Sequence, residues 1–361
     1  MKNSFGNAIN ISLFGESHGA GVGVLIDGIS PGIKVDEDFI AHQLTLRRPS
    51  GKIGTARREP DNFVIQSGVF NGYTTGAPLC IFIPNTDARS RDYTPDLPRP
   101  SHADFTAREK YHGFEDYRGG GHFSGRITAA LVAAGAIVIP ALREMGIYIG
   151  TYIKQVSDVK LSAVGHDKES LLAVAESDYG ITDPNSLALF TETAERAAEE
   201  GDSVGGKLET AVIGLPAGLG EPWFDGVESQ IACAVFGIPA VKEISFGAED
   251  ISLLRGSQAN DDFIIKDGKI VTDTNNSGGI QGGITNGMPV VFRTTVKPTP
   301  SISKEQKTVN MSTLEETALS VKGRHDPCIL QRARIVLDSV AALVVADMLT
   351  VRYGSDALTK K

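Results

Sequence analysis

Residues 124–145 read Ser-Gly-Arg-Ile-Thr-Ala-Ala-Leu-Val-Ala-Ala-Gly-Ala-Ile-Val-Ile-Pro-Ala-Leu-Arg-Glu-Met. The run is alanine-rich and apolar all round. A helix on a protein surface keeps one polar face, whereas a helix without one is covered on every side. The run therefore predicts a helix over 124–145, buried between other layers. Its apolar part, Ile127 to Leu142, is broken by Thr128, Gly135 and Pro140 and flanked by Arg126 and Arg143. It falls short of the ~20 residues that cross a membrane, so no membrane role is expected.

Working outward, Phe14 to Gly28 reads as one or two strands with a turn near Gly15 to Gly21. Asp36 to Arg48 reads as a helix with Asp36 as N-cap, and Pro49 ends it. Residues 47–126 are rich in Gly, Pro, Arg and His and show little helical period. Only VIQSGVF and APLCIFI look like strands there. A loop-like stretch of that length usually carries function. Helices are predicted near Glu169 to Glu176, Glu192 to Glu200 and Val227 to Phe236. Strands are predicted at Lys207 to Ile213, Phe263 to Ile265, Lys269 to Thr272 and Pro289 to Val296. A last helix, Pro327 to Arg352, is predicted to open with Asp326 as N-cap and proline in its first turn. Strands and helices mix without a regular βαβ rhythm. That favours an α+β fold, layered with buried helices, over a Rossmann or TIM-barrel fold.

The chain has 361 residues, 41% hydrophobic and 22% charged, which excludes disordered, collagenous and coiled-coil classes. By length alone it could hold one large domain or two to three ordinary ones. Its net charge of −9 argues against a nucleic-acid-binding protein. Cys80, Cys233 and Cys328 fit neither a zinc site nor a disulfide framework, which suggests a reducing compartment. Met1 to Asn10 lacks the pattern of a signal peptide. A soluble, cytoplasmic protein without a metal is expected.

The cationic residues are unevenly placed. Nine of the 18 arginines fall between Arg47 and Arg118, with only Lys52 and Lys110 beside them. Arginine's planar fork suits carboxylate and phosphate. The competing reading is an ion-paired surface, since the stretch also holds nine Asp and Glu. For the cluster among turns and histidines, an anion site is favoured. His18 in GESHG and His102 in RPSHAD lie in loops beside Ser17 and Ser101, a context suited to proton transfer. His42 and His166 read as structural. Gly119-Gly120-Gly121-His122-Phe123-Ser124 feeds the buried helix. A glycine loop entering a helix is a natural anion cradle, although a tight turn with Ser124 as cap would look the same. Neither a P-loop nor a dinucleotide fingerprint is present.

In order along the chain stand GESHG (15–19), RREPD (57–61), RPSHAD (99–104), DYRGGG (116–121), KPTPS (297–301) and GRHDPC (323–328). Together they resemble the chorismate synthase family, almost end to end. The resemblance implies a single domain over 1–361, a layered β-α-β sandwich with helices between sheets. It implies a carbon–oxygen lyase acting on phosphates, in the last shared step of the shikimate pathway to aromatic amino acids. The reaction is an anti 1,4-elimination of phosphate from 5-enolpyruvylshikimate 3-phosphate, giving chorismate and needing reduced FMN.

By the same resemblance, His18 and His102 are proton-transfer residues, and Ser17, Ser124 and Asp326 form a polar relay. Flavin contacts map to His122, Phe123, Ser124, Pro239, Ala240, Gly282, Lys297, Pro298, Thr299, Pro300, Ser301 and Arg324. Arg47, Arg48 and Arg126 map to substrate binding, one of them to NADPH. A homotetramer is implied, with electrons from NADPH through an external flavin reductase. His122 and Phe123 stand where many members carry arginine and serine.

These parts suit the chemistry. A substrate with two carboxylates and a phosphate needs several cations, which also stabilise charge building on the leaving oxygens. A flavin oxidoreductase with net hydride transfer, or a phosphometabolite-binding protein without catalysis, are the alternatives.

Overall fold

The computed structural model describes residues 2–48, 60–86, 94–321 and 326–359. Two five-stranded antiparallel sheets dominate. The first runs in the order Ser4–Phe5, Asn10–Gly15, Gly21–Asp27, Leu79–Pro84, Val64–Ser67. The second runs Val241–Phe246, Val290–Val296, Gly206–Ile213, Tyr148–Val156, Val159–Lys160. Alternation sets which face is buried. In the first sheet Val22, Val24, Ile26, Leu79, Ile81 and Ile83 are fully buried on one side. In the second, Leu208, Val212, Val290 and Phe292 point inward.

Between the sheets lie helices α1 (Glu37–Arg47) and α3 (Thr128–Glu144) and the C-terminal helix Leu330–Tyr353. Helix α2 is Asp104–Tyr111; α4 (Lys168–Glu176) packs on the second sheet. Helix α5 is Pro184–Glu199, and α6 (Val227–Phe236) packs on the C-terminal helix. The order sheet, helices, sheet is the layered α+β sandwich. Burial of α3 has a visible cause. A Cβ on Gly135 would lie 2.4 Å from Ser339 Cβ, so only glycine lets α3 and the C-terminal helix approach this closely. The apolar stretch 125–144, a short 3₁₀ turn followed by α3, is long enough to cross a membrane by composition, and 83% of its most apolar window is buried inside the fold.

The C-terminal helix is buried from Leu330 to Thr350, the half-buried Arg332 apart, and carries charge inside the core. Asp347 accepts the backbone amides of Asn7, Ala8 and Ile9 at 2.9, 2.7 and 2.7 Å, which ties down the N-terminal segment. Arg334 donates to the Val174 carbonyl at 3.1 Å and to that of Ser177. Burial lowers the Arg334 pKa to about 10 and pushes the nearby Asp338 carboxyl up to about 6.

Three expectations are corrected. The last helix is capped at Ile329, not Asp326, because the Asp326 carboxylate is turned to Arg332 instead. Helix α5 starts earlier than Glu192, at Pro184, with Asp183 capping the Ser186 amide. The loop-like stretch contains α2, a short polar helix whose sole buried residue is Ala107, so no apolar period announces it.

Candidate active site

A cavity of 990 Å³ opens beside α3 and the C-terminal helix. Leu131, Val336, Val340 and Leu343 give it one apolar wall. His18, His102, Arg47, Arg126, Lys297 and Arg332 are among its polar lining. Such a volume lies at the top of the usual range for small-molecule sites, about 300–1,000 Å³.

His18 sits on the turn between strands Asn10–Gly15 and Gly21–Asp27. Ser17 beside it is fully buried, with Oγ 3.1 Å from His18 Nδ1. The same Oγ lies 3.2 and 3.1 Å from the carbonyls of Arg118 and Gly119. A hydroxyl facing carbonyls must donate to one of them, so it accepts from Nδ1–H of His18. The triple glycine makes room for this. Gly119, Gly120 and Gly121 all have left-handed φ, of 62, 82 and 52°. A Cβ on Gly119 would fall 2.1 Å from the His18 ring. His122 then points its Nδ1 at the Gly15 carbonyl, 2.8 Å away, so that nitrogen carries the proton. Ser124 caps the following turn through the Arg126 amide at 3.3 Å.

His102 lies in a second loop, its Nε2 2.7 Å from Ser301 Oγ. Lys297 donates to the Ser101 carbonyl at 2.9 Å and through its own amide to the Ala240 carbonyl at 2.9 Å. Burial lowers the Lys297 pKa, and neighbouring Lys242 adds to the effect. Ser101 and Ala240 both hold positive φ, at 60 and 72°. Non-glycine strain of this kind persists only where surrounding bonds fix it.

The guanidiniums converge on two carboxylates. Asp61, 1% exposed at its side chain, takes Arg47 at 3.0 Å, Arg48 at 3.5 Å and Arg126. Arg126 also donates to Asn85 Oδ1 at 3.0 Å, and Arg47 to Thr128 Oγ1 at 3.4 Å. Arg332 pairs with Asp326 and donates to the Arg47 carbonyl at 3.1 Å. Four guanidiniums thus face two carboxylates, a net positive cluster. Burial would raise the Asp61 pKa, but Arg47 and Arg126 outweigh it and hold it below 3.8. Burial, with help from Arg332 and Arg126, lowers Arg47 to about 10, so both partners stay charged at neutral pH.

Residues 9–350 match the chorismate synthase family. The chain is 45% identical to the chorismate synthase of Pyrococcus abyssi over 96% of its own length and 97% of that protein's. It is 46% identical to that of Chitinophaga pinensis, covering 99% of each. A crystal structure of chorismate synthase superposes with a TM-score of 0.76 at 29% identity, over 97% of this chain and 94% of that one.

The chain belongs to the chorismate synthase family.

Set against that membership, the cavity gathers most of the residues expected from the sequence. His18, His102, Ser124, Asp326, His122, Phe123, Pro239, Ala240, Lys297, Thr299, Pro300 and Ser301 line it, as do Arg47, Arg48 and Arg126. Ser17 stands behind His18, and Pro298 is not part of the lining. Gly282 lies elsewhere. Its turn abuts the start of α6, with the Val227 amide on the Gly283 carbonyl at 2.9 Å, while the far end of α6 lines the cavity. Arg324 and Lys52 fall outside the described residues. Arg332, Asp61 and Asp104 had no role assigned from sequence, and Arg99, read as part of the anion cluster, is paired with Asp104. Asp61 and Asp104 end the motifs RREPD and RPSHAD, and an acid closing an arginine-rich motif was the available signal.

Proposed function

We propose that the chain catalyses the anti 1,4-elimination of phosphate from 5-enolpyruvylshikimate 3-phosphate, giving chorismate, with reduced FMN as cofactor. The observation that carries this reading is the meeting of three histidines, His18 and His102 among them, and five guanidiniums in one cavity with an apolar wall. Fit to a flavin rests on the residues themselves. Thr299 Oγ1 and Arg47 Nε are buried at the cavity without a hydrogen-bond partner among the described residues, as donors kept for a ligand would be. The apolar side chains of α3 and the C-terminal helix suit a planar ring, and Lys297 suits a phosphate. When bound, the reduced flavin supplies electron density to a reaction with no net redox change.

The residues then take these parts. Arg47, Arg48, Arg126 and Arg332 bind the substrate's carboxylates and phosphate and stabilise charge on the leaving oxygens as the C3–O bond breaks. His18, with Nδ1–H given to Ser17, is left with Nε2 as the nitrogen that takes up or releases a proton. His102 serves proton transfer on the opposite loop, and Ser124 and Asp326 complete the polar lining where the C6 hydrogen departs as a proton. His122, its Nδ1–H on the Gly15 carbonyl, would meet the cofactor through Nε2. A homotetramer in the cytoplasm, reduced through NADPH and a separate flavin reductase, completes the proposal.

Product analysis tests it. Chorismate and phosphate should form in equal amounts as substrate disappears, with no flavin consumed. Phosphate without chorismate would mean simple ester hydrolysis, and net NADPH consumption matching product would mean an oxidoreductase.

A further inference from the structure

Ser301 Oγ lies 2.7 Å from His102 Nε2, across a sequence separation of 199 residues. The contact is one of a series. Thr308 Oγ1 donates to the Pro98 carbonyl at 2.6 Å, the Met311 amide to the Asp96 carbonyl at 2.9 Å and Ser312 Oγ to Asp96 at 2.8 Å. Lys297 Nζ holds the Ser101 carbonyl. The loop before His102 is therefore laced along the segment 297–312.

From its other side the loop is clamped by Asp104. That carboxylate takes Nε and Nη2 of Arg99 at 2.8 and 2.7 Å and the Arg99 amide at 2.9 Å. The His102 amide reaches back to the Arg99 carbonyl at 3.2 Å. Ser101, left-handed at φ 60°, is held in that strained turn by these bonds. The backbone of His102 is thus fixed, but its ring can still turn about two side-chain bonds. Ser301 meets it at Nε2.

We propose that Ser301 is a positioning residue for His102, its hydroxyl fixing the rotation of the imidazole through the contact at Nε2. The contact to cofactor implied for KPTPS is then a second duty of the same loop. The benefit to turnover rests on the elimination reading; the ring geometry does not.

The test uses the full chain as Ser301→Ala, Ser301→Thr, His102→Ala and the Ser301→Ala/His102→Ala double variant. The first readout needs no activity. Ring ¹⁵N signals of His102 are recorded without ligand and assigned by their loss in His102→Ala. In Ser301→Ala they should move toward those of a solvated imidazole, and Ser301→Thr should restore them. The second readout is kcat at saturating substrate and reduced FMN. Ser301→Ala should lower it about tenfold, the weight of one hydrogen bond, at FMN concentrations raised until turnover no longer responds, and Ser301→Thr should restore it. In the His102→Ala background Ser301→Ala should cost nothing more.

Unmoved ring signals, additive losses in the double variant, or a loss of turnover cured by more FMN would each overturn the proposal. If the wild-type chain released no phosphate while the His102 signals still answered to Ser301→Ala, the positioning would stand and the elimination reading would fall.

Discussion

Asp61 and Arg47 form a buried ion pair, with Arg47 Nη2 3.0 Å from Asp61 Oδ2 and both side chains at most 4% exposed. Arg48 and Arg126 meet the same carboxylate. One acid therefore orders three of the guanidiniums that line the cavity. Removing one partner of such a pair leaves uncompensated buried charge.

Asp61→Asn should accordingly destabilise the fold by about 3–5 kcal/mol, read by urea unfolding at pH 7. The pH dependence follows from the sign of the shift. The Asp61 carboxyl is held below its ordinary value of 3.8 in the folded chain. Its contribution is complete above that value and is lost as the pH falls below it. Wild-type stability should drop in this acid window, and Asp61→Asn should lack that part of the drop. Parallel acid-unfolding curves would contradict the role given to Asp61.

Arg126→Ala and Arg332→Ala should weaken substrate binding about 10- to 100-fold each, the range for hydrogen bonds to charged groups. Calorimetry with 5-enolpyruvylshikimate 3-phosphate checks it. Unchanged affinity in both would remove the anion site.

His18→Ala and His102→Ala should each lower kcat by roughly 10²–10⁴, the usual weight of general acid–base catalysis. FMN should still bind, as followed by its fluorescence. Near-wild-type turnover in both variants would end the proton-transfer assignment.

The three thiols should divide sharply. Cys233 is exposed and lines the cavity, whereas burial pushes the Cys328 thiol up to about 12. A thiol reagent at pH 8 should label Cys233 first and leave Cys328 untouched in the folded chain. Bound FMN should slow the labelling of Cys233. Equal rates with and without FMN would place the cofactor away from the end of α6.

Much of the fold was legible because burial leaves a strong pattern. The apolar run at 124–145 announced α3, and the helix read at Val227 to Phe236 has those bounds in the structure. Asp36 capped α1 as expected, through the Phe39 amide. What failed was local chemistry overridden by tertiary contact. Asp326 followed by proline looked like a helix cap, but the guanidinium of Arg332, in the first turn of the helix, competes better for its carboxylate. The same contact hid Arg332, which sits in an apolar helix and resembles an isolated charge until Asp326 and the Arg47 carbonyl are beside it. The pairing of His102 with Ser301 spans 199 positions and had no signal in local spacing.

Phosphate release from 5-enolpyruvylshikimate 3-phosphate, measured without oxygen and with FMN either oxidised or reduced by dithionite, tests the central claim most directly. Many turnovers with reduced FMN, none with oxidised FMN and no net flavin oxidation are expected. Folded, flavin-binding protein that releases no phosphate under either condition would contradict it.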